Sequence, residues 1–368
     1  MTTGTVNERL ARLTGLGTSI WLDQIGRDLI EDGTLARYVE QYSLRGMTSN
    51  PAIFEKAILE SDAYDGIIAE GFADGKDAAA VFQDIAIADV RAAAEVLREV
   101  HESTGGVDGF VSLEVTPDLA RDTTGKTIEE ARLFHDLVDA PNLMIKIPGT
   151  AEGLPYVEQG IYEGINVNIT LLFSVDRYAE VAEAYIRGLE RRQAEGKTLD
   201  VQSVASFFVS RVDTVVDQQL EQLGRTDLQG RAAVANARAA YAKFREIFHG
   251  ERFAALKAAG APVQRPLWAS TGTKNPAYSD VLYVDTLAGP ETINTMPVKT
   301  LEAAAATSEV TTVTADEDAR PVLAELAAAG IDLNKVTDDL LDAGIDAFIH
   351  SLDGLLEGLE RRRAGAGA

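Results

Sequence analysis

The stretch NLMIKIPGT, residues 142–150, decides how the rest of the chain is read. Of the six residues after Asn142, five are apolar or proline and the sixth is Lys146. Such a short, nearly continuous apolar run reads as a strand buried on both faces, as in a parallel sheet covered by helices. Seven further runs of this kind recur: SIWLD (19–23), GMTSN (46–50), GFVSLEV (109–115), NVNITLL (166–172), VQSVASF (201–207), PLWAST (266–271) and ETINTM (291–296).

Helix-period segments separate them. Residues 77–103 carry apolar side chains at three- and four-residue spacing. Residues 174–196 do the same, with Ser174 placed to cap the start and basic residues in the last turns. Strand–helix alternation implies parallel strands joined by crossovers. Eight such units close into an α/β fold of the (β/α)8 TIM-barrel type, and 368 residues leave room for additional helices. An open doubly wound sheet is the alternative. No linker composition stands out, so residues 1–368 read as one domain with a short Ala/Gly tail (364–368) that frays. Residues 307–332 read as a polar connection leading to further helices. Residues 340–363 form an amphipathic pattern suited to covering the barrel mouth or to a subunit contact.

The composition excludes several classes of function. A formal net charge of -24 repels nucleic-acid backbones and anionic membranes, so neither is expected as a partner. There are no cysteines, which removes disulfides, thiolate catalysis and cysteine metal sites. The first residues lack a signal-peptide pattern and no apolar run is long enough to span a bilayer, so the cytoplasm is the expected location. GLGTSI (15–20) precedes a strand, whereas a dinucleotide loop follows one, and its third glycine is missing. In ARDTTGKT (120–127) the first glycine of a phosphate-binding loop is replaced by Ala120. The four histidines lie in helical patterns with no second histidine at ligand spacing, so no metal site is expected.

The informative pattern is a polar residue near the C-terminal end of almost every strand. Asp23, Asn50, Glu114, Lys146, Asn168 with Thr170, Ser206 followed by Arg211, and Ser270 followed by Lys274 all occupy such places. In a barrel these ends converge on one mouth, where active sites are built. One polar strand end by itself is usually a turn former or a helix cap. Asn50-Pro51 fits a plain turn, and Ser206 fits a hydroxyl bonded to backbone. Glu114 and Lys146 are different, because a charge in a strand buried on both faces is expensive unless paired. A structural ion pair between them is the bland reading.

The chemical reading of Lys146 is sharper. Burial disfavours its cation and frees the amine to attack carbonyls. A Schiff base then serves as an electron sink for breaking or making a carbon–carbon bond. Hydroxyl protons must move as well, and Asp23 and Glu114 are the candidate acid/base groups. The loop STGTKNP (270–276) offers hydroxyls, amides and Lys274 where barrels commonly bind phosphate. Arg211 adds a guanidinium suited to oxyanions.

Seven stretches, SIWLDQIGRDLI, GMTSNPAIFEKAI, VSLEVTPDLARDT, NLMIKIPGT, INVNITLLFS, ASFFVSRVD and LWASTGTKNPAYSDVLYVDTLAGPETINTMP, run in order from about residue 18 to 300. Together they resemble the transaldolase family in its longer bacterial form. The resemblance implies a cofactor-free, metal-free Schiff-base enzyme of the pentose phosphate pathway. Such an enzyme moves a dihydroxyacetone unit between sugar phosphates. It implies that Lys146 is the Schiff-base lysine and Asp23 the acid/base at the C4 hydroxyl. Glu114 and Thr170 would position a proton-shuttling water, and Asn50 and Asn168 would hold the bound dihydroxyacetone. Ser206, Arg211 and Ser270 would contact substrate and phosphate. One departure stands out. Shorter members carry an arginine just after the strand-seven serine, where this chain has Thr271-Gly272-Thr273-Lys274. Lys274 therefore takes that phosphate role here, without a guanidinium's planar fork. Two alternatives remain at this stage. One is a fructose 6-phosphate aldolase-type lyase, disfavoured by Phe208 where that branch resembles the motif with tyrosine. The other is a non-catalytic sugar-phosphate-binding barrel. Monomer and homodimer are both open.

Overall fold

Eight strands pair in chain order and close on themselves: β1 (Thr18–Asp23), β2 (Leu44–Thr48), β3 (Phe110–Glu114), β4 (Leu143–Pro148), β5 (Val167–Leu172), β6 (Ser203–Phe208), β7 (Arg265–Ala269) and β8 (Thr292–Met296). The computed structural model describes residues 5–366, with side chains as far as 363. Every pairing is parallel. The β1–β8 register, from Thr18↔Thr292 to Leu22↔Met296, closes the barrel and excludes the open sheet.

Strand boundaries lie within a few residues of those read from the sequence, and the differences have causes. β2 stops at Thr48 because Asn50 already caps the next helix, Pro51–Leu59. Its Oδ1 accepts the Ile53 N–H at 3.0 Å, and Pro51 occupies the first helical position. β7 stops at Ala269 because Ser270 turns into the left-handed region, φ 57°.

The period-two alternation of β1 sends Ser19, Trp21 and Asp23 to one side, toward the barrel interior. Ser19 sits at the bottom, Trp21 in the middle and Asp23 at the mouth. The Trp21 indole fills the centre, and Gly46 of β2 makes room for it. A Cβ on residue 46 would lie 2.4 Å from Trp21 Cε2. At the bottom, Asp108 accepts from Trp21 Nε1 at 3.0 Å, Ser19 Oγ at 2.5 Å and Arg265 Nη2 at 3.0 Å.

The outer faces are covered by helices with the expected spacing. Helix Val175–Ala194 is capped by Ser174, whose Oγ accepts the Arg177 N–H, and it buries Tyr178, Val181, Ala182, Tyr185 and Leu189. Full burial of an aliphatic side chain such as Val181 or Leu189 contributes roughly 1.5–3 kcal/mol. His249 departs from the helical reading. It lies just past helix Ala232–Phe248 and pairs with Glu291 at 2.6 Å.

After β8 the chain forms helices Val298–Thr307, Arg320–Ala328 and Leu333–Ala366. The last contains residues 340–363, the segment expected to cover the mouth or to form a subunit contact. Gly344 lies against Leu171 and Arg211, and Gly358 against Leu59, so the helix crosses the strand ends from the β5–β6 side to the β2 side. The helix backbone runs to Ala366, so residues 364–366 of the tail expected to fray are helical; residues 367–368 lie outside the described residues. Among the described residues no helix is long and apolar enough to cross a membrane.

Candidate active site

Parallel register places Glu114, Lys146 and Asn168 side by side on β3, β4 and β5. Lys146, 3% exposed, donates to Glu114 Oε2 at 2.9 Å and to the Ser49 carbonyl at 2.9 Å. The ion pair exists, then, but it is incomplete. Glu114 Oε1 is buried without a protein partner, and so is Thr170 Oγ1 on β5. Buried polar atoms are nearly always bonded, so two orphaned oxygens in one barrel mouth call for an explanation.

Beside the pair runs a chain of neutral groups. Ser206 Oγ donates to Asn168 Oδ1 at 2.7 Å, and Asn168 Nδ2 donates to Ser112 Oγ at 3.0 Å. This fixes the orientation of Ser206 and holds Asn168 fully buried behind it. Opposite, half-buried Asp23 accepts from Thr48 Oγ1 at 2.7 Å, and Thr48 is itself bonded to Thr295 Oγ1 at 2.7 Å. Burial raises the Asp23 carboxyl above its usual range, against the Thr48 hydrogen bond and the charges of Lys146 and Lys274. Burial also raises Glu114, against the Lys146 cation, while the Asp23 charge pushes it further up. Two carboxyls with heightened proton affinity thus flank one amine.

The other end of the site suits an anion. Ser210 and Ser270 share a hydrogen bond of 2.9 Å between their hydroxyls. Ser270 has a left-handed backbone, a conformation uncommon for serine and typical of functional turns. Arg211 is half-buried in the first turn of helix Ser210–Gln222. Among the described residues it pairs with no carboxylate, and its guanidinium carbon stands 5.5 Å over the Phe208 ring. Burial lowers its proton affinity. A desolvated guanidinium without a counter-charge favours an incoming oxyanion.

Eight of the eleven residues singled out in the sequence line one cavity of about 110 Å³: Asp23, Asn50, Lys146, Thr170, Ser206, Phe208, Arg211 and Ser270. Glu114 and Asn168 stand behind this surface, bonded to Lys146 and Ser206. Lys274 is exposed and outside the lining, and reaches the site as a charge near Asp23. A larger cavity of about 420 Å³ lies next door, between Phe54, Phe82, Phe134 and Leu352; it shares Asn50 with the first, and Glu114 lines it. It is mostly apolar and contains neither the lysine nor the arginine.

The description of the transaldolase/fructose-6-phosphate aldolase family matches residues 20–359. The chain belongs to that family. It is 47% identical to a transaldolase of Mycolicibacterium paratuberculosis over 98% of both chains. It is 48% identical to a transaldolase of Mycolicibacterium smegmatis, over 95% of this chain and 96% of the relative. A transaldolase of Thermobifida fusca is 47% identical, over 96% of this chain and 98% of the relative.

Sequence reading missed five residues that line the site of this family member: Thr48, Thr295, Phe348, and the two alanines Ala52 and Ala269. The first two lie near the C-terminal ends of recognised strands and obey the same strand-end rule as the residues that were chosen. Phe348 had no local signal. It arrives from the C-terminal helix, and its ring centroid stands 5.7 Å from Lys146 Nζ. Taken together, the mouth offers a buried amine, two proton-hungry carboxyls and an anion pocket. That set suits carbonyl condensation with a phosphorylated sugar.

Proposed function

We propose that the chain is a transaldolase acting on sugar phosphates, with its whole site on one domain of one chain, in the cytoplasm. It transfers a dihydroxyacetone unit from sedoheptulose 7-phosphate or fructose 6-phosphate to glyceraldehyde 3-phosphate or erythrose 4-phosphate, through a Schiff base on Lys146. The observation that carries this reading is the placing of Lys146 against Glu114, facing one cavity with Asp23 and Arg211.

The residues divide the work. Glu114, 2.9 Å away and raised by burial, receives the proton that Lys146 sheds before attack. The amine adds to the ketose C2, and loss of water gives the iminium. The orphaned Glu114 Oε1 and Thr170 Oγ1 suit a water that carries protons in this step. Asp23 then takes the C4 hydroxyl proton, and the C3–C4 electron pair moves into the iminium. The first aldehyde leaves and an enamine stays on Lys146, held by Asn50 and by Ser206, which Asn168 orients. The acceptor aldehyde takes up the new bond, and Asp23 returns the proton to its oxygen. Arg211, with Ser210 and Ser270 nearby, holds the phosphate, and exposed Lys274 adds positive charge. Phe208 supplies no hydroxyl to protonate the enamine, which favours transfer over a lyase outcome.

Borohydride trapping tests the division. Lys146→Arg stays protonated at neutral pH and should lose both turnover and trapping. Asp23→Ala should slow turnover by roughly 10²–10⁴, the usual worth of general-base assistance, yet still trap the intact donor sugar on Lys146. Mass spectrometry of the Lys146 peptide reads the adduct. A three-carbon adduct formed in Asp23→Ala at the wild-type rate would remove Asp23 from the mechanism.

A further inference from the structure

The C-terminal helix enters the site through one side chain. Phe348, 3% exposed, is its sole contribution to the cavity lining among the described residues, and it stands over the lysine. One turn earlier the helix has no side chain at all. A Cβ on Gly344 would lie 3.0 Å from Leu171 Cδ2 and 3.5 Å from Arg211 Nη1. This close approach is what lets Phe348 reach the reacting amine. Leu171 meets the helix from a left-handed backbone, φ 60°, where the β5–β6 register breaks. On either side of Phe348 the helix is pinned by polar contacts. Asp342 pairs with Arg121, and Arg362 donates to the Leu59 and Ser61 carbonyls and to Asp65.

The roofed cavity is small. Its volume of about 110 Å³ falls well below the roughly 300–1,000 Å³ of sites that enclose drug-sized ligands. The space directly beneath Phe348 suits a short adduct beside Lys146, and the larger neighbouring cavity adjoins it at Asn50. A six- or seven-carbon chain reaches past the Phe348 ring, and departure of its aldehyde half leaves only three carbons beneath it.

Resting on the transaldolase reading, we propose that Phe348 is a positioning residue that seals water away from Lys146 only while the three-carbon unit is bound. The chemistry makes such a seal useful. The enamine is lost to water in two steps. A proton adds to its nucleophilic carbon and restores the iminium; water then adds at C2, and the C–N bond breaks to give free dihydroxyacetone, the amine and a proton. The same hydrolysis must proceed on the longer product adduct, since it frees the product. A roof that closes over three carbons and is held open by six or seven separates the two cases by adduct length.

The test supplies a ketose phosphate donor with and without acceptor aldehyde and measures free dihydroxyacetone against transfer product. Phe348→Ala should raise the ratio of release to transfer at least tenfold, and Phe348→Leu, which keeps apolar bulk, should restore most of the wild-type ratio. Gly344→Ala, with its new methyl against Leu171, should lift the roof with Phe348 intact and raise the ratio by a smaller factor. It serves as the probe if Phe348→Ala does not fold. A purely structural role would lower release and transfer together and leave the ratio where it was. An unchanged ratio in the folded variants overturns the proposal. Borohydride trapping on the wild type keeps the two readings apart. If no adduct forms on Lys146, the transaldolase reading fails; if the adduct forms and the ratio does not move, the seal alone fails.

Discussion

Two charged pairs are buried inside this barrel, one at each end, and they are finished to different degrees. At the bottom, Arg265 bonds Asp108 at 3.0 Å, Ser19 at 2.9 Å and the Val107 carbonyl at 2.6 Å. Asp108 also accepts from Trp21 and Ser19, and no side-chain atom of this group is left buried and unpartnered. At the mouth, Lys146 and Glu114 are as deeply buried, yet Glu114 Oε1 has no partner and the lysine faces a cavity. Burial of charge is thus common to both ends. What separates them is satisfaction: a closed network anchors the fold, and an open one keeps donors and acceptors for a substrate.

Mutating both ends should break this comparison if it is wrong. Glu114→Gln keeps the shape but removes the proton acceptor, so turnover should fall by roughly 10²–10⁴. The thermal midpoint should fall by less than in Asp108→Ala, because the amide oxygen still accepts from Lys146. Asp108→Ala should do the reverse. Leaving Arg265 buried without its carboxylate costs about 3–5 kcal/mol of stability, read by denaturant unfolding, while kcat per folded molecule stays near wild type. If Asp108→Ala instead loses kcat in proportion, the two ends are not functionally separate.

A gentler probe is Thr170→Val, which removes one orphaned hydroxyl without changing volume. Turnover should drop about tenfold, less than the roughly 10²–10⁴ of a group that itself transfers the proton, because Thr170 only positions the water. Stability should hold or rise by about 1 kcal/mol, because an unsatisfied buried polar atom is gone. A loss of stability would mean that Thr170 Oγ1 has a structural partner after all.

Asp23 sharpens the comparison through pH. Its carboxyl is raised in the folded chain, so between the ordinary carboxylate range near 4 and the folded value the native state binds more protons than the unfolded one. Stability from this group therefore falls as pH rises through that window. Asp23→Asn, which retains the acceptor for Thr48, should melt higher than wild type at pH 7, and the gain should vanish below about pH 4. Equal melting temperatures at pH 7 would show that Asp23 carries no such strain.

The smallest change is Phe208→Tyr. A hydroxyl near the enamine should supply a proton and shift some turnover from transfer to release of free dihydroxyacetone. An unchanged ratio would detach Phe208 from that balance.

The eight strands, the helix spacing and most of the site were legible in the chain because they rest on local rules. Period-two burial marks a strand, a capping residue marks where a helix begins, and a charge inside NLMIKIPGT is costly wherever the strand is placed. These rules pointed to Lys146, Asp23 and the polar strand ends without knowledge of the closure. Other features depended on which segments meet. Asn50 serves a helix cap and the cavity at once, Lys274 stays outside the lining, and Thr48 bridges Asp23 to Thr295 across 247 positions of sequence. Whether a buried pair would be closed like Arg265–Asp108 or open like Lys146–Glu114 was likewise undecided by composition. Phe348 shows the limit most plainly. Its sequence surroundings describe an amphipathic helix and nothing more, and only the crossing of that helix over the strand ends sets an aromatic ring above the reactive lysine.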